Sequence, residues 1–408
     1  MKIDRIAAGG DGVGRLDDGM AVFVPRTVPG DVVEIEIVQR KRRYARGRVR
    51  RIVAHGAGRV EATCSHYVAD GCGGCQLQHL APSVQLEVKR RIVGDAVRRI
   101  GGRSVADPEI VPCPSAWRYR SKITLRAQGR SIGLHRFDCP GEVFDLADCP
   151  ITQSRLIELW RQVRSHRHLL PRSVATLVLR EDRDGGLHVV VEGRSERLWD
   201  AGPLAQAIGD SRVSWWWCPR LGAPRVVAGP HRGFPALAFD QVHPGFGRRI
   251  RGDAVEALGS VAGQTVWDLY GGVGDTAELL AARGAQVWTV DADRSAVEWA
   301  RARESSPQGT GEIHRLVGRV EAVLHQLPEP DAVVANPPRG GLDERVTRHL
   351  ETWATGRSGA RVAYLSCDPA TLARDLKRMP ALQLTSYRAY DLFPHTSHVE
   401  TLALLEVS

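Results

Sequence analysis

The feature that most constrains the fold is an alternation of strand and helix patterns through the last third of the chain. Apolar stretches at 264–270, 285–290, 331–335 and 361–366 are each followed by a helical pattern, near 275–283, 294–303, 343–354 and 369–378. Parallel strands cannot be joined by a tight turn and need a crossover, usually a helix. The pattern predicts a doubly wound, mostly parallel α/β sheet, with the apolar run 401–407 as a last buried strand. Open sheets of this kind bind ligands outside the carboxyl ends of their strands. The loops after each apolar run are therefore where chemistry is expected.

Those loops carry reactive or permissive residues. Asp268-Leu269-Tyr270-Gly271-Gly272-Val273-Gly274 follows the first run, and its glycines allow close approach of backbone to ligand. The dinucleotide spacing G-x-G-x-x-G is not met, because Ala277 stands at the third position when Gly272 is taken as the first. Asp291 lies at the end of the second run, 23 residues after Asp268, where a carboxylate can accept hydrogen bonds from two ribose hydroxyls. Asn336-Pro337-Pro338-Arg339 closes the third run, a turn that suits the reactive end of a bound S-adenosyl-L-methionine.

Cys367 follows the fourth run, at the start of a helix whose dipole is expected to lower its thiol pKa. Glu400 ends the segment Phe393-Pro394-His395-Thr396-Ser397-His398-Val399-Glu400. A thiolate and a carboxylate together suit C5 methylation of a pyrimidine. Addition of the thiolate to C6 makes C5 nucleophilic, and a base must then remove the C5 proton so that the thiolate can leave. His395 and His398 suit structural or RNA-contacting roles equally well.

Charge points to the partner. The 408 residues carry a net charge of +9, and residues 1–60 hold 13 basic against 7 acidic side chains, so most of the excess sits in the first seventh of the chain. A polyanionic partner is expected. Val33, Ile35 and Ile37 alternate with Glu34 and Glu36, the period of a half-buried strand. The next segment has eight basic residues between Arg40 and Arg51, with Arg46, Arg48 and Arg50 on one face of a strand and Tyr44 available for stacking. The opening Gly10-Asp11-Gly12-Val13-Gly14-Arg15 and the stretch 28–37 resemble a TRAM domain, an OB-like barrel of RNA-modifying enzymes.

The middle of the chain is less regular, with strand patterns at 174–180 and 187–192 and three adjacent tryptophans, Trp215, Trp216 and Trp217. A mixed α/β or second β domain is expected there. Three of the eight cysteines, Cys64, Cys72 and Cys75, stand in the spacing C-x7-C-x2-C. Reduced thiols at this spacing suit zinc or an iron–sulfur cluster. A fourth ligand must come from elsewhere, with Cys149 the leading candidate beside Cys113 and Cys139. The C-x3-C-x2-C spacing of radical enzymes is absent, so such a cluster need not be catalytic.

Taken together, the motifs resemble one family: RNA 5-methyluridine methyltransferases with an N-terminal TRAM domain and a 4Fe-4S cluster. The resemblance rests on CGGCQLQHL at 72–80, WRYRSK at 117–122, DCPI at 148–151, FDQVHPGFG at 239–247, DLYGGVG at 268–274, NPPRGGL at 336–342, SCDPATLARD at 366–375 and DLFPHTSHVE at 391–400. It implies a TRAM barrel over 1–60, a central mixed α/β iron–sulfur domain over 61–240 and a class I, Rossmann-like methyltransferase domain over 241–408. It implies Cys367 as nucleophile and Glu400 as proton acceptor, with cofactor contacts from Gln241, Tyr270, Asp291 and Asn336. It implies a 4Fe-4S cluster on Cys64, Cys72, Cys75 and Cys149, and a pocket for a flipped uracil shaped by Phe239 and Gln241.

The chain departs from the family in several places. Asn336 stands where Asp is usual, His243 replaces an Asn, Arg319 follows Gly318 in place of an Asp, and the cluster loop is two residues longer. The implied substrate is ribosomal RNA of the large subunit; the alternatives are a tRNA T-loop uridine, an RNA cytidine, and a non-catalytic RNA-binding assembly factor. A cytoplasmic monomer with no membrane association is expected, since no apolar stretch is long enough to span a bilayer and no signal-peptide core is present.

Overall fold

The computed structural model describes residues 1–231, 233–303 and 311–407. The chain forms two compact units, one of Met1–Glu61, Gln76–Pro114 and Gly245–Ser408, the other of Ala62–Cys75 and Ser115–Pro244. The sequence blocks expected at 1–60, 61–240 and 241–408 divide the chain differently. Residues 76–114, expected in the middle block, belong to the first unit because their side chains and backbone pair within it, as described below.

The first unit begins with a five-stranded barrel of Ile3–Ile6, Gly12–Arg15, Ala21–Val24, Val32–Arg40 and Tyr44–Ala54. The fifth strand lies between the third and the fourth, and a bridge from Lys2 to Val32 closes the sheet. Ile3, Val22, Val24, Val33 and Ala45 fill its interior. Arg46, Arg48 and Arg50 share an exposed face, as their alternation predicts. They are partly neutralised there: Arg48 lies 3.4 Å and Arg50 3.7 Å from Glu36, and Arg46 lies 3.5 Å from Asp11.

The same unit contains an eight-stranded sheet. Its spatial order is Glu312–Val317, Gln286–Asp291, Thr265–Leu269, Ala332–Ala335, Arg361–Ser366, Glu400–Glu406, Gln383–Tyr390 and Glu109–Val111. The first five are parallel; Glu400–Glu406 runs antiparallel to both of its neighbours. The strand order reverses between Thr265–Leu269 and Ala332–Ala335, the kind of switch point at which open sheets bind ligands. Alternate residues serve opposite faces: Val266 and Val334 join one apolar layer, Trp267 and Val333 the other.

The helix Pro82–Arg99 packs against the helix Pro369–Arg378. Its buried stripe follows the helical period through Gln85, Val88, Lys89, Ile92, Val93, Ala96 and Val97. Two polar side chains therefore sit on an apolar face.

The second unit is a seven-stranded sheet in the order Arg225–Ala228, Val213–Cys218, Leu187–Gly193, Val174–Glu181, Lys122–Gln128, Ser131–His135 and Val143–Asp145. All neighbours are antiparallel except Leu187–Gly193 with Val213–Cys218. The three tryptophans obey the two-residue period of a strand. Trp215 and Trp217 pack with Trp160 and Trp199 on one face, and Trp216 packs with Val178 and Val190 on the other. Among the described residues, no helix is long and apolar enough to cross a membrane.

Candidate active site and cysteine cluster

The nucleophile and base candidates are brought together by strand register. Cys367 follows directly on Arg361–Ser366, and Ser366 pairs with Thr401, the residue after Glu400. The thiol and the carboxyl thus meet at the edge where the parallel strands end. Cys367 is half-buried and Glu400 almost wholly buried. Burial pushes the Glu400 carboxyl up to about 8. Burial also pushes the Cys367 thiol up to about 11, with Glu400 and Asp368 adding to the shift and Arg339 opposing it.

The expected lowering of the thiol pKa by the helix dipole is not found. Asp368 caps this helix, accepting from the amides of Ala370 at 3.0 Å and Thr371 at 2.9 Å. Burial and the Glu400 carboxyl, with a smaller addition from Asp368, outweigh the dipole.

The glycine turn is built for close approach. Tyr270 has a φ of 64° and Gly274 a φ of 88°, and a Cβ at Gly271 would collide with Thr289 and Asp268. Asp291 orders this turn: its carboxylate accepts from Gly272 N–H at 2.8 Å and from Asp293 N–H at 2.8 Å. Asn336 N–H donates to Leu269 O at 3.1 Å, so the Asn-Pro-Pro turn begins beside the glycine turn. Burial pushes the Asp268 carboxyl up to about 6. Its Oδ2 accepts from Thr289 at 2.9 Å, while its Oδ1 has no hydrogen-bond partner among the described residues. Tyr270, Asp291, Asn336, Cys367 and Glu400 therefore share one sheet edge. Gln241 belongs to the second unit, where it is buried while Phe239 is exposed.

A groove of about 790 Å³ in the first unit runs from the barrel to this edge. Gly9 and Phe23 line its barrel end, Arg91 and Arg99 its wall, and Cys367 with His398 its far end. The sequence reading did not reach this groove or the polar pair Gln85 and Lys89. The available signal was a Gln and a Lys, four residues apart, at core positions of an amphipathic helix.

Cys64, Cys75 and Cys149 pack into one small core with Tyr67, Tyr119 and Ile151. Cys72 belongs to the adjacent core, against which Cys149 also packs. His66 joins the two segments: its Nδ1 lies 2.6 Å from Asp70, and its Nε2 accepts from Ala147 N–H at 3.0 Å. Cys113 sits in a core of the first unit, and Cys139 packs in neither cysteine core. No disulfide forms, and burial pushes the Cys149 thiol up. Among the described residues, no three His, Cys, Asp or Glu side chains are grouped as a metal site.

Comparison with known proteins agrees with this architecture. Residues 2–49 match the TRAM domain, and residues 295–408 match the tRNA (Uracil-5-)-methyltransferase family. An uncharacterized RNA methyltransferase of Gloeobacter violaceus is 33% identical, covering 100% of this chain and 96% of its own length. The 23S rRNA (uracil(1939)-C(5))-methyltransferase RlmD of Halomonas elongata is 30% identical, covering 100% and 89%. The chain belongs to the TRAM-bearing RNA uracil-C5 methyltransferases. Members of this family transfer a methyl group from S-adenosyl-L-methionine to RNA. The fold is shared with the Pyrococcus abyssi tRNA (uracil-54, C5)-methyltransferase in complex with S-adenosyl-L-homocysteine, at TM-score 0.73 and 24% identity over 99% of both chains.

Proposed function

We propose that this enzyme methylates C5 of one uridine in 23S rRNA, with Cys367 as nucleophile and Glu400 as proton acceptor. The observation that carries the reading is the pairing of Ser366 with Thr401, which brings the thiol and the buried carboxyl to the same sheet edge. The Cys367 thiolate adds to C6, and the electron pair moves through C5 toward O4. S-adenosyl-L-methionine, when bound, supplies an electrophilic methyl group. Once C5 is methylated, the Glu400 carboxylate takes the C5 proton, the C5–C6 double bond re-forms, and the thiolate is expelled.

A carboxyl with a pKa of about 8 is a far better acceptor than an exposed one, and its burial leaves few competing proton donors. The cofactor fits the glycine turn, where Asp291 stands at the ribose position and side chains are kept away from Gly271. Tyr270 and Asn336 line the same cradle. The Asn at 336 keeps a polar contact but brings no charge, which suits a cationic sulfonium less than the usual Asp.

Four thiols without disulfides, three of them in one core, make a donor set suited to a 4Fe-4S cluster on Cys64, Cys72, Cys75 and Cys149. The cluster would cross-link the 64–75 loop to the strand-connecting loop at 149, a structural role. The groove leading to Cys367 is lined by four arginines and four carboxylates, and an RNA strand reaching the thiol would pass along it. A ribosomal target is supported by the full-length relative named for uracil 1939. A tRNA T-loop target is the second reading, favoured by the family model's name and the shared fold of the uracil-54 enzyme. Activity as a monomer in the cytoplasm completes the proposal.

Mass spectrometry of mapped ribosomal and transfer RNA fragments, from cells with and without the gene, tests the reading. Loss of one 5-methyluridine from 23S rRNA, restored by the wild-type chain and not by Cys367→Ala, is expected. A loss confined to the tRNA T-loop replaces the ribosomal target with the second reading. An unchanged map overturns both.

A further inference from the structure

The segment 391–399, which leads into the base Glu400, is held by residues outside the strands it connects. Lys89 is fully buried, pairs with Asp391, and donates from Nζ to Phe393 O at 2.9 Å. Gln85, also buried, uses its whole amide. Its Oε1 accepts from His395 N–H at 2.9 Å, and its Nε2 donates to Leu80 O at 2.9 Å and to His395 Nδ1 at 3.3 Å.

The preceding segment completes the clamp. The amides of Gln76 and Leu77 donate to His395 O at 3.1 and 2.8 Å, and Ser397 N–H donates to Gln76 Oε1 at 3.2 Å. His395 has a φ of 67°, a conformation that a non-glycine residue keeps only where its surroundings over-determine it. Both of its main-chain polar groups, amide and carbonyl, end on residues 76–85. The barrel backs the clamp: His79 Nε2 lies 3.1 Å from Thr27 O, and a Cβ at Gly10 would strike Gln76.

We infer that Gln85, with Lys89 and Gln76, forms a positioning clamp that sets Glu400 for removal of the C5 proton. The inference rests on the assignment of Cys367 and Glu400 above. Gln85 and Lys89 do not line the groove that leads to Cys367, whereas Gln76 does. All three fix the backbone of 391–399, and through it the start of the strand whose first residue is the base. Thiolate addition and methyl transfer depend on Cys367, whose turn is fixed by the Ser366 hydroxyl bonded to the Asp368 backbone and not by the clamp residues. The clamp should therefore govern the last step and leave the earlier ones alone.

The test is a single-turnover assay with a uridine-containing RNA, separating covalent protein–RNA adduct from free RNA on denaturing gels. Gln85→Met keeps the volume and removes the hydrogen bonds. It should form methylated adduct at the wild-type rate and resolve it about 100-fold more slowly, the cost of a misplaced reacting group. Gln76→Ala, at a half-buried position, should show a smaller delay of the same kind and serves if Gln85→Met does not fold. Glu400→Gln is the reference and should accumulate methylated adduct. Adduct resolution at the wild-type rate in both folded clamp variants overturns the inference, as does equal slowing of adduct formation and resolution. If Glu400→Gln and the wild type never form an adduct, the assignment of Cys367 and Glu400 fails instead.

Discussion

The catalytic edge and the cysteine cluster gather reactive side chains by different means. At the catalytic edge, backbone ladders do the placing: Ser366 pairs with Thr401 and Tyr390 with Glu400, so Cys367 and Glu400 have no choice of neighbour. In the cysteine cluster, Cys64 precedes a five-residue helix, Cys72 and Cys75 lie in a glycine loop, and Cys149 lies in a second loop. His66 and apolar packing join the segments around Cys64 and Cys149, and a bridge from Cys72 to Arg136 ties the glycine loop to the sheet. A site on a ladder is complete when the sheet forms. A site on loops gains its final geometry from whatever the loops bind.

Nucleophile and base substitutions should have the largest effect and leave the fold intact. Cys367→Ala is expected to abolish adduct formation, and Glu400→Gln to slow turnover by about 10²–10⁴-fold. The melting temperature of Cys367→Ala should stay within about 2 °C of wild type, since a half-buried loop thiol contributes little packing. A large drop would mean that the edge is not self-sufficient. The cysteine cluster should behave in the opposite way. The proposed cluster predicts visible absorbance in the wild-type protein, its loss in Cys75→Ala, and a melting temperature lower by more than about 5 °C. A colourless, fully stable and active variant would remove the contrast.

The next effect is in pH. In its proposed role Glu400 must be ionised to accept a proton, so single-turnover adduct resolution should rise with pH and level off above about 8. Folding carries the opposite sign. The carboxyl is raised from 4.5 in the unfolded chain, so its contribution is fully present below about 4.5 and is lost as pH rises through about 8. Glu400→Gln should therefore be more stable than wild type at pH 8 and similar at pH 4, measured by denaturant unfolding. A stability difference independent of pH would rule out a buried ionising carboxyl.

The smallest effect belongs to the barrel. Arg48→Ala should weaken RNA binding uniformly across sequences and reduce the slope of log affinity against log salt by about 1. Its exposed pair with Glu36 predicts a stability change below about 1 kcal/mol.

Much of this was legible in the sequence where local pattern and topology coincide. The runs at 264–270, 285–290, 331–335 and 361–366 fall on strands Thr265–Leu269, Gln286–Asp291, Ala332–Ala335 and Arg361–Ser366. Because parallel strands align their ends, the loops after them, with Tyr270, Asp291, Asn336 and Cys367, had to fall together. The strands Glu312–Val317 and Gln383–Tyr390 escaped notice. Both are largely exposed or half-buried, so they lack the apolar run that marks a central strand.

The clamp was illegible for another reason. In the sequence Gln85 and Lys89 are ordinary polar residues, and their partners His395 and Asp391 explain their burial. The cysteine spacing names three members of a set, Cys149 enters through the resemblance at 148–151, and its packing beside Cys64 and Cys75 is recorded by no local spacing.

The interleaved course of the chain also sets a timetable for synthesis. The second unit is complete once Pro244 has been made, whereas the first must wait for the strand that ends near the carboxyl terminus. At about 5–20 residues per second, the remaining stretch of roughly 160 residues takes about 10–30 s to emerge. For that interval Lys89, already made, has no Asp391 to meet, since 302 residues separate them. The barrel and the helix Pro82–Arg99 thus pass through a nascent stage with an uncovered apolar stripe and an unmatched charge. Ribosome-bound chaperones would find their binding surface on that helix, and a truncated chain ending before Asp391 should be degraded rather than accumulate.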